Sequence, residues 1–185
     1  MHLNYLDPSH CALLVVDIQE RLMPVIDGRD RVINNTVLLL KAAKTLQIPV
    51  IATTQYRARI GDFLPEVKAE LEGIETIDKM EFGGFNNPNV RQAVEHLPRE
   101  IDTLIICGVE THICIYQTVL GAIRAGYRPW VPADAVSSRT PLNHGTGLNR
   151  IAEIGGVIAN TEMIIYELLH QAGTPAFKAL LPFLK

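Results

Sequence analysis

Short unbroken apolar runs alternate along this chain with longer stretches of helical periodicity. Ala12-Leu13-Leu14-Val15-Val16 is continuous, the pattern of a parallel strand covered on both faces, and it stops at Asp17. From Val32 to Gln47 the apolar positions Val32, Ile33, Val37, Leu40, Ala43 and Leu46 recur on one helical face, with Asp27 or Asp30 as the expected N-cap. A second strand is expected over 49–54, a loop at the mouth of a site over 55–64, a short helix over 65–71, and a weak strand over 74–77 leading into Asp78-Lys79. Phe82-Gly83-Gly84-Phe85-Asn86-Asn87-Pro88 reads as a turn-rich loop before a helix over 89–96. The pattern then predicts strands over 103–107, 127–131 and 157–160, helices over 114–125, 143–154 and 162–171, and a final apolar segment over 175–184.

Strands that alternate with helices call for an α/β fold: a six-stranded parallel sheet wound on both sides by right-handed crossovers. The expected strand order is 3-2-1-4-5-6. That order makes strands one and four neighbours at the switch point, where ligands bind beyond the carboxyl ends of the strands. Asp17, Lys79 and Cys114 follow the ends of strands one, three and four. Three reactive groups from distant parts of the chain are thereby expected in one crevice.

Composition narrows the function classes. A length of 185 residues, 48% hydrophobic and 20% charged, suits one domain spanning 1–185 with a sizeable core. A net charge of -3 comes without a Lys/Arg cluster, which argues against nucleic acid and anionic membrane and leaves small molecules or protein partners, a small-molecule substrate being expected. The first residues lack the basic and apolar regions of a signal peptide, and no apolar run approaches a membrane span, so a cytoplasmic protein is expected. Cys11, Cys107 and Cys114 form no CxxC and suit free thiols in a reducing compartment, with Cys107 in the core and Cys11 at the sheet's edge.

The candidate chemistry centres on Ile105-Ile106-Cys107-Gly108-Val109-Glu110-Thr111-His112-Ile113-Cys114, a buried strand that turns a tight corner into a helix. A thiol in a helix's first turn sits where unpaired N–H groups and the macrodipole favour thiolate, which makes Cys114 a candidate nucleophile. N–H groups at such a corner also bind an oxyanion. His112 lies two residues from Cys114, so on a helix its side chain points away, and it is not expected to serve as the base. His144 is expected to be a packing or surface residue. No cofactor or metal is expected: the His112/Cys114 pair has no matching second pair, and the glycines of 83–84 form no phosphate loop.

The strand ending in Asp17-Ile18-Gln19, then Asp78-Lys79, then Cys107 to Cys114, followed by Asp134-Ala135-Val136-Ser137-Ser138-Arg139 and Asn160-Thr161-Glu162, resembles the isochorismatase-like cysteine hydrolases, in order and over nearly the whole chain. Thr53-Thr54-Gln55-Tyr56 adds a likeness to the isochorismatase-domain proteins of undefined substrate. The resemblance implies a three-layer α/β/α fold, a homo-oligomer, and an Asp17, Lys79, Cys114 triad. It further implies a cis peptide joining Val109 to Glu110, with the Glu110 and Cys114 N–H groups as an oxyanion hole. By loop position, Gln55, Tyr56, Phe82 and Phe85 are expected to line the pocket.

Nicotinamidases of this family carry an Asp-x-His metal motif after the second strand, where this chain has Thr54-Gln55-Tyr56-Arg57. True isochorismatases cleave a vinyl ether without needing a cysteine nucleophile, so Cys114 tilts the expectation toward hydrolysis of an amide-type C–N bond. Two alternatives stay open. One is vinyl-ether hydrolysis with Asp17 as acid; the other is a catalytically silent oligomeric binding protein or a redox sensor that oxidises at Cys114.

Overall fold

The computed structural model describes residues 5–74 and 76–184. The leader reading rests partly on 1–4, and Glu75 of the expected third strand also lies outside the described residues. Seven strands form one sheet: β1 (Cys11–Val16), β2 (Val50–Gln55), β3 (Thr76–Lys79), β4 (Thr103–Val109), β5 (Arg128–Pro132), β6 (Val136–Ser137) and β7 (Val157–Ala159). The order is β3-β2-β1-β4-β5-β7, with β6 bonded to β4, and every pairing is parallel. This is the expected 3-2-1-4-5-6 path with one short strand added.

The added strand has a local cause. β5 pairs with β4 only from Thr103 to Ile105, its last residues to Pro132 pairing with β7 instead, and beyond it Ala135 N–H turns back to the Pro132 carbonyl at 2.9 Å. Val136 and Ser137 then rejoin β4 opposite Gly108 and Val109. At the junction of the two central strands Gly108 faces Val16 with φ +119°, and a Cβ there would collide with the Val16 carbonyl oxygen. Only glycine tolerates both that conformation and that approach.

Among the described residues eight α-helices cover the two faces: α1 (Arg29–Leu46), α2 (Arg57–Ile60), α3 (Pro65–Glu70), α4 (Pro88–Glu95), α5 (Tyr116–Arg124), α6 (Pro141–Glu153), α7 (Thr161–Leu169) and α8 (Pro175–Leu180). The continuous apolar run of β1 divides between them. Leu13 and Val15 join Val32, Leu40 and Ala43 of α1 and Ile164 and Leu168 of α7, whereas Ala12, Leu14 and Val16 join Val94, Val119, Ala122 and Ile151 of α4 to α6. Alternate side chains point to opposite faces of a strand, so an unbroken run is what a two-sided core requires.

Several boundaries differ from expectation. α1 starts at Arg29 behind Gly28, whose left-handed backbone (φ 62°) replaces the carboxylate cap expected from Asp27 or Asp30. The loop over 55–64 contains α2 and a bridge that pairs Gln19 with Phe63. The helix expected to start at Cys114 begins as a π-helical turn, Thr111–Ile115, before α5. Cys11 opens the central strand β1 and is fully buried, so it is not at an edge of the sheet. Cys107 is buried in the core, as expected. Among the described residues no helix is long and apolar enough to cross a membrane.

Candidate active site

Asp17 follows β1 directly with φ 58°, in the left-handed region that aspartate enters more readily than most residues. Its N–H donates to the Thr53 carbonyl on β2 at 3.0 Å, and its own carbonyl accepts from Gln19 N–H at 2.9 Å. The carboxylate is completely buried. Thr53 Oγ1 donates to Oδ1 at 3.0 Å, and Lys79 Nζ donates to Oδ2 at 2.7 Å.

Lys79 is the last residue of β3 and stands opposite Gln55, with β2 lying between it and β1. Neighbouring strands are about 4.8 Å apart, so the long lysine stem is what lets a cation on β3 reach a carboxylate two strands away. Lys79 is 1% exposed, and its ammonium also donates to Gln55 Oε1 at 2.8 Å. The pair is hydrogen-bonded on both sides, as a buried ion pair must be to offset its lost hydration.

Cys114 comes to the same point from the π-helical turn beyond β4. Its thiol faces the Asp17 carboxylate and the Lys79 ammonium, and the Glu110 N–H points at its sulfur. The Val109–Glu110 peptide is cis. α6 packs closely behind the turn: a Cβ on Gly147 would stand 2.9 Å from the His112 nitrogen. Glu110 Oε2 accepts from the Arg139 N–H at 2.9 Å and Nε at 3.1 Å, tying the corner to the segment after β6.

Burial dominates the electrostatics. It pushes the Asp17 carboxyl up, although Lys79, Thr53 and Cys114 all favour the ionised form. Burial, followed by the Asp17 charge, pushes the Cys114 thiol up to about 12 against the opposing pull of Lys79. The surroundings thus favour the thiol form of the resting sulfur. This direction runs against the expectation that the helix N-terminus favours the thiolate: desolvation and the Asp17 carboxylate push the thiol up, and Lys79 pulls the other way. Asp17 is at the same time a more avid proton acceptor than an exposed aspartate.

The other expected residues scatter. Gln55 is in the cluster itself. Tyr56 and Phe82 are exposed where β2 and the loop after β3 emerge, and Gly84 N–H binds Thr118 Oγ1 at 2.9 Å, which lays that loop along α5. Phe85 is instead drawn into the core, its side chain against Gly121 of α5 and its ring 6.4 Å from that of Tyr127. A glycine on the helix leaves the space that the ring fills. His112 Nδ1 meets Ser138 Oγ at 2.9 Å and His144 Nδ1 meets Thr111 Oγ1 at 2.9 Å, so both brace the turn. Among the described residues no three His, Cys, Asp or Glu side chains converge as metal ligands.

Sequence reasoning missed Thr53, Gln19 and the Glu110–Arg139 pair. Gln19 is fully buried, accepts from the Gln55 N–H at 2.7 Å and donates to the Gln55 and Gly61 carbonyls at 3.1 and 2.7 Å. Its place two residues after Asp17 in a strand-end motif was the available signal.

Comparisons with known proteins agree with this architecture. The secreted isochorismatase effector Isc1 of Phytophthora sojae is 35% identical over 186 residues, covering 99% of this chain and 88% of that protein. Among solved structures, the MAR1 ribonuclease of Caenorhabditis elegans superposes with a TM-score of 0.90 at 27% identity, covering 98% of this chain and 92% of that one. YcaC from Pseudomonas aeruginosa, with hexane-2,5-diol and covalent acrylamide, superposes with a TM-score of 0.91 at 25% identity, covering 99% and 93%. The family model of the isochorismatase domain matches residues 11–163, and with that match, these relatives and the α/β/α sheet order, the chain belongs to the isochorismatase family and has its hydrolase-type fold.

Proposed function

We propose that this protein is a small-molecule hydrolase that uses Cys114 as nucleophile on an amide-type C–N bond. The observation that carries the reading is the Lys79–Asp17 contact of 2.7 Å inside a buried cluster, with the Cys114 thiol on the same carboxylate. A buried acid–base pair beside a protonated thiol is the arrangement that makes a nucleophile only when a substrate is present. Asp17 takes the thiol proton as sulfur attacks the carbonyl carbon. The oxyanion that forms lies at the Glu110 and Cys114 N–H groups, while Lys79 balances the charge. The C–N bond then breaks, the amine leaves with the proton from Asp17, and a thioester remains on Cys114. Water, deprotonated by Asp17, adds to the thioester and releases the acid and the thiol.

The covalent acrylamide on the YcaC relative supports a nucleophile on this fold, because acrylamide is an electrophile of the class that thiols attack. The same reading takes the chain as one hydrolase domain, needing no cofactor, working as a homo-oligomer in the reducing cytoplasm. Its free, buried thiols and the exposed Met80, Phe82 and Leu142 fit that setting.

The test is turnover of a panel of small primary amides by wild type and Cys114→Ala, with intact-mass detection of an acyl adduct. Loss of turnover by about a hundredfold or more in the variant, and an adduct on Cys114 in wild type, are expected. Full retention of amide hydrolysis by Cys114→Ala would overturn Cys114 as nucleophile, and turnover of a vinyl ether but of no amide, unchanged in Cys114→Ala, would turn the reading to Asp17-driven vinyl-ether chemistry.

A further inference from the structure

The carboxamide of Gln55 is held at both ends. Nε2 donates to the Met80 carbonyl at 2.8 Å, which fixes the orientation of the amide and directs Oε1 to the Lys79 ammonium at 2.8 Å. Its backbone is held as well, because the Gln19 side chain binds both the N–H and the carbonyl of Gln55 as a neighbouring strand would. Gln19 in turn is anchored on the Gly61 carbonyl at 2.7 Å. Two buried amides thus run from the segment after β1, through the end of β2, to the cation on β3. A residue that merely lined a pocket would need none of these bonds.

An ammonium has three N–H donors. Asp17 and Gln55 take two, at 2.7 and 2.8 Å, and they fix the direction of the third. The second acceptor is neutral. A carboxylate there would hold the ammonium as firmly but would share its charge, leaving less for Asp17 and for the sulfur. We propose that Gln55, braced by Gln19, is the positioning residue of Lys79: it orients the ammonium by a hydrogen bond while leaving its positive charge undivided for the Asp17–Cys114 pair. This assignment rests on the hydrolase reading for its purpose but not for its geometry.

The proposal is tested without a substrate, on the full chain. In protein labelled with 15N at lysine, the buried Lys79 NH3+ is observed directly by NMR, and alkylation of Cys114 by iodoacetamide at pH 9 is followed by mass spectrometry. Gln55→Leu is expected to speed exchange of the Lys79 ammonium and to slow Cys114 alkylation by about tenfold, the weight of one charge-assisted hydrogen bond. Gln55→Glu keeps the size and the acceptor toward Lys79 but gives up the donor to the Met80 carbonyl; it is expected to retain a protected ammonium yet alkylate more slowly than wild type. Should Gln55→Leu fold poorly, the Glu variant decides, because wild-type alkylation in it would overturn the requirement for neutrality. Wild-type exchange and alkylation in a folded Gln55→Leu would overturn the proposal outright. If instead the ammonium responds as described but wild-type Cys114 alkylates no faster than Cys11 and Cys107, it is the nucleophile reading that falls, and the positioning of Lys79 by Gln55 stands.

Discussion

Replacing Lys79 by Met keeps most of the stem and removes the cation bonded to the Asp17 carboxylate, which has no exposed surface. Breaking one side of a buried pair typically costs about 3–5 kcal/mol. Here the cost has a ceiling, because Asp17 can take up a proton instead of remaining a bare charge. An unfolded aspartate titrates at 3.8. Keeping its carboxyl protonated at pH 7 therefore costs about 1.4 kcal/mol for each pH unit above that value, or about 4 kcal/mol. The sign follows from proton binding. The folded variant holds a proton that the unfolded chain releases above pH 3.8, so the variant loses stability as pH rises and regains it in acid. Urea unfolding read by the fluorescence of Trp130, the sole tryptophan, measures this at pH 5 and pH 7.5. The deficit relative to wild type should be about 2 kcal/mol or less at the lower pH and should widen by at least about 2 kcal/mol at the higher. Adding Asp17→Asn to Lys79→Met should remove the widening and restore most of the loss, since a neutral pair needs no proton. An equal deficit at both pH values, or a double variant no more stable than the single, would refute the account of a buried carboxylate held charged by Lys79.

Three further outcomes follow from the same structure. With its thiol pushed up to about 12 by burial, Cys114 in the ligand-free protein should alkylate faster with every step in pH from about 6 to about 10, by up to about tenfold per unit, with no plateau; a plateau near neutrality in the mass-spectrometric rates would mean a resting thiolate. Asp134 Oδ1 accepts from both the N–H and the hydroxyl of Thr161 at 2.8 Å and so caps α7 from another segment; Asp134→Ala should lower stability by about 1–2 kcal/mol in thermal or urea unfolding. Gly108→Ala places a Cβ on the Val16 carbonyl oxygen at a positive φ, and a loss of about 3 kcal/mol or more, or failure to fold, should appear in the same assays.

Much of this architecture was legible in the order of residues. The unbroken run over 12–16 belongs to a strand buried on both faces, and the recurrence of Val32, Leu40 and Ala43 belongs to a helix with one buried side. Periodicity is local and survives without knowing any partner, so strand order and the placing of Asp17, Lys79 and Cys114 at strand ends could be argued from it. Boundaries were less legible where a backbone conformation replaced a side chain, as at Gly28 before α1, or where a strand re-formed after a break, as at Val136 and Ser137.

What only the tertiary structure decided are the properties that depend on who faces whom. Burial and the Asp17 charge push the Cys114 thiol up where the helix terminus was expected to favour thiolate, because the carboxylate and the ammonium that meet it come from beyond β1 and from the end of β3. Gln55 became the holder of Lys79, 24 positions away in sequence, and Phe85 left the pocket for the space over Gly121. Hydrophobic pattern determines which face of an element is buried. Proton affinity, hydrogen-bond partners and the space beside a glycine are set by the segments that meet there, and no local pattern encodes that meeting.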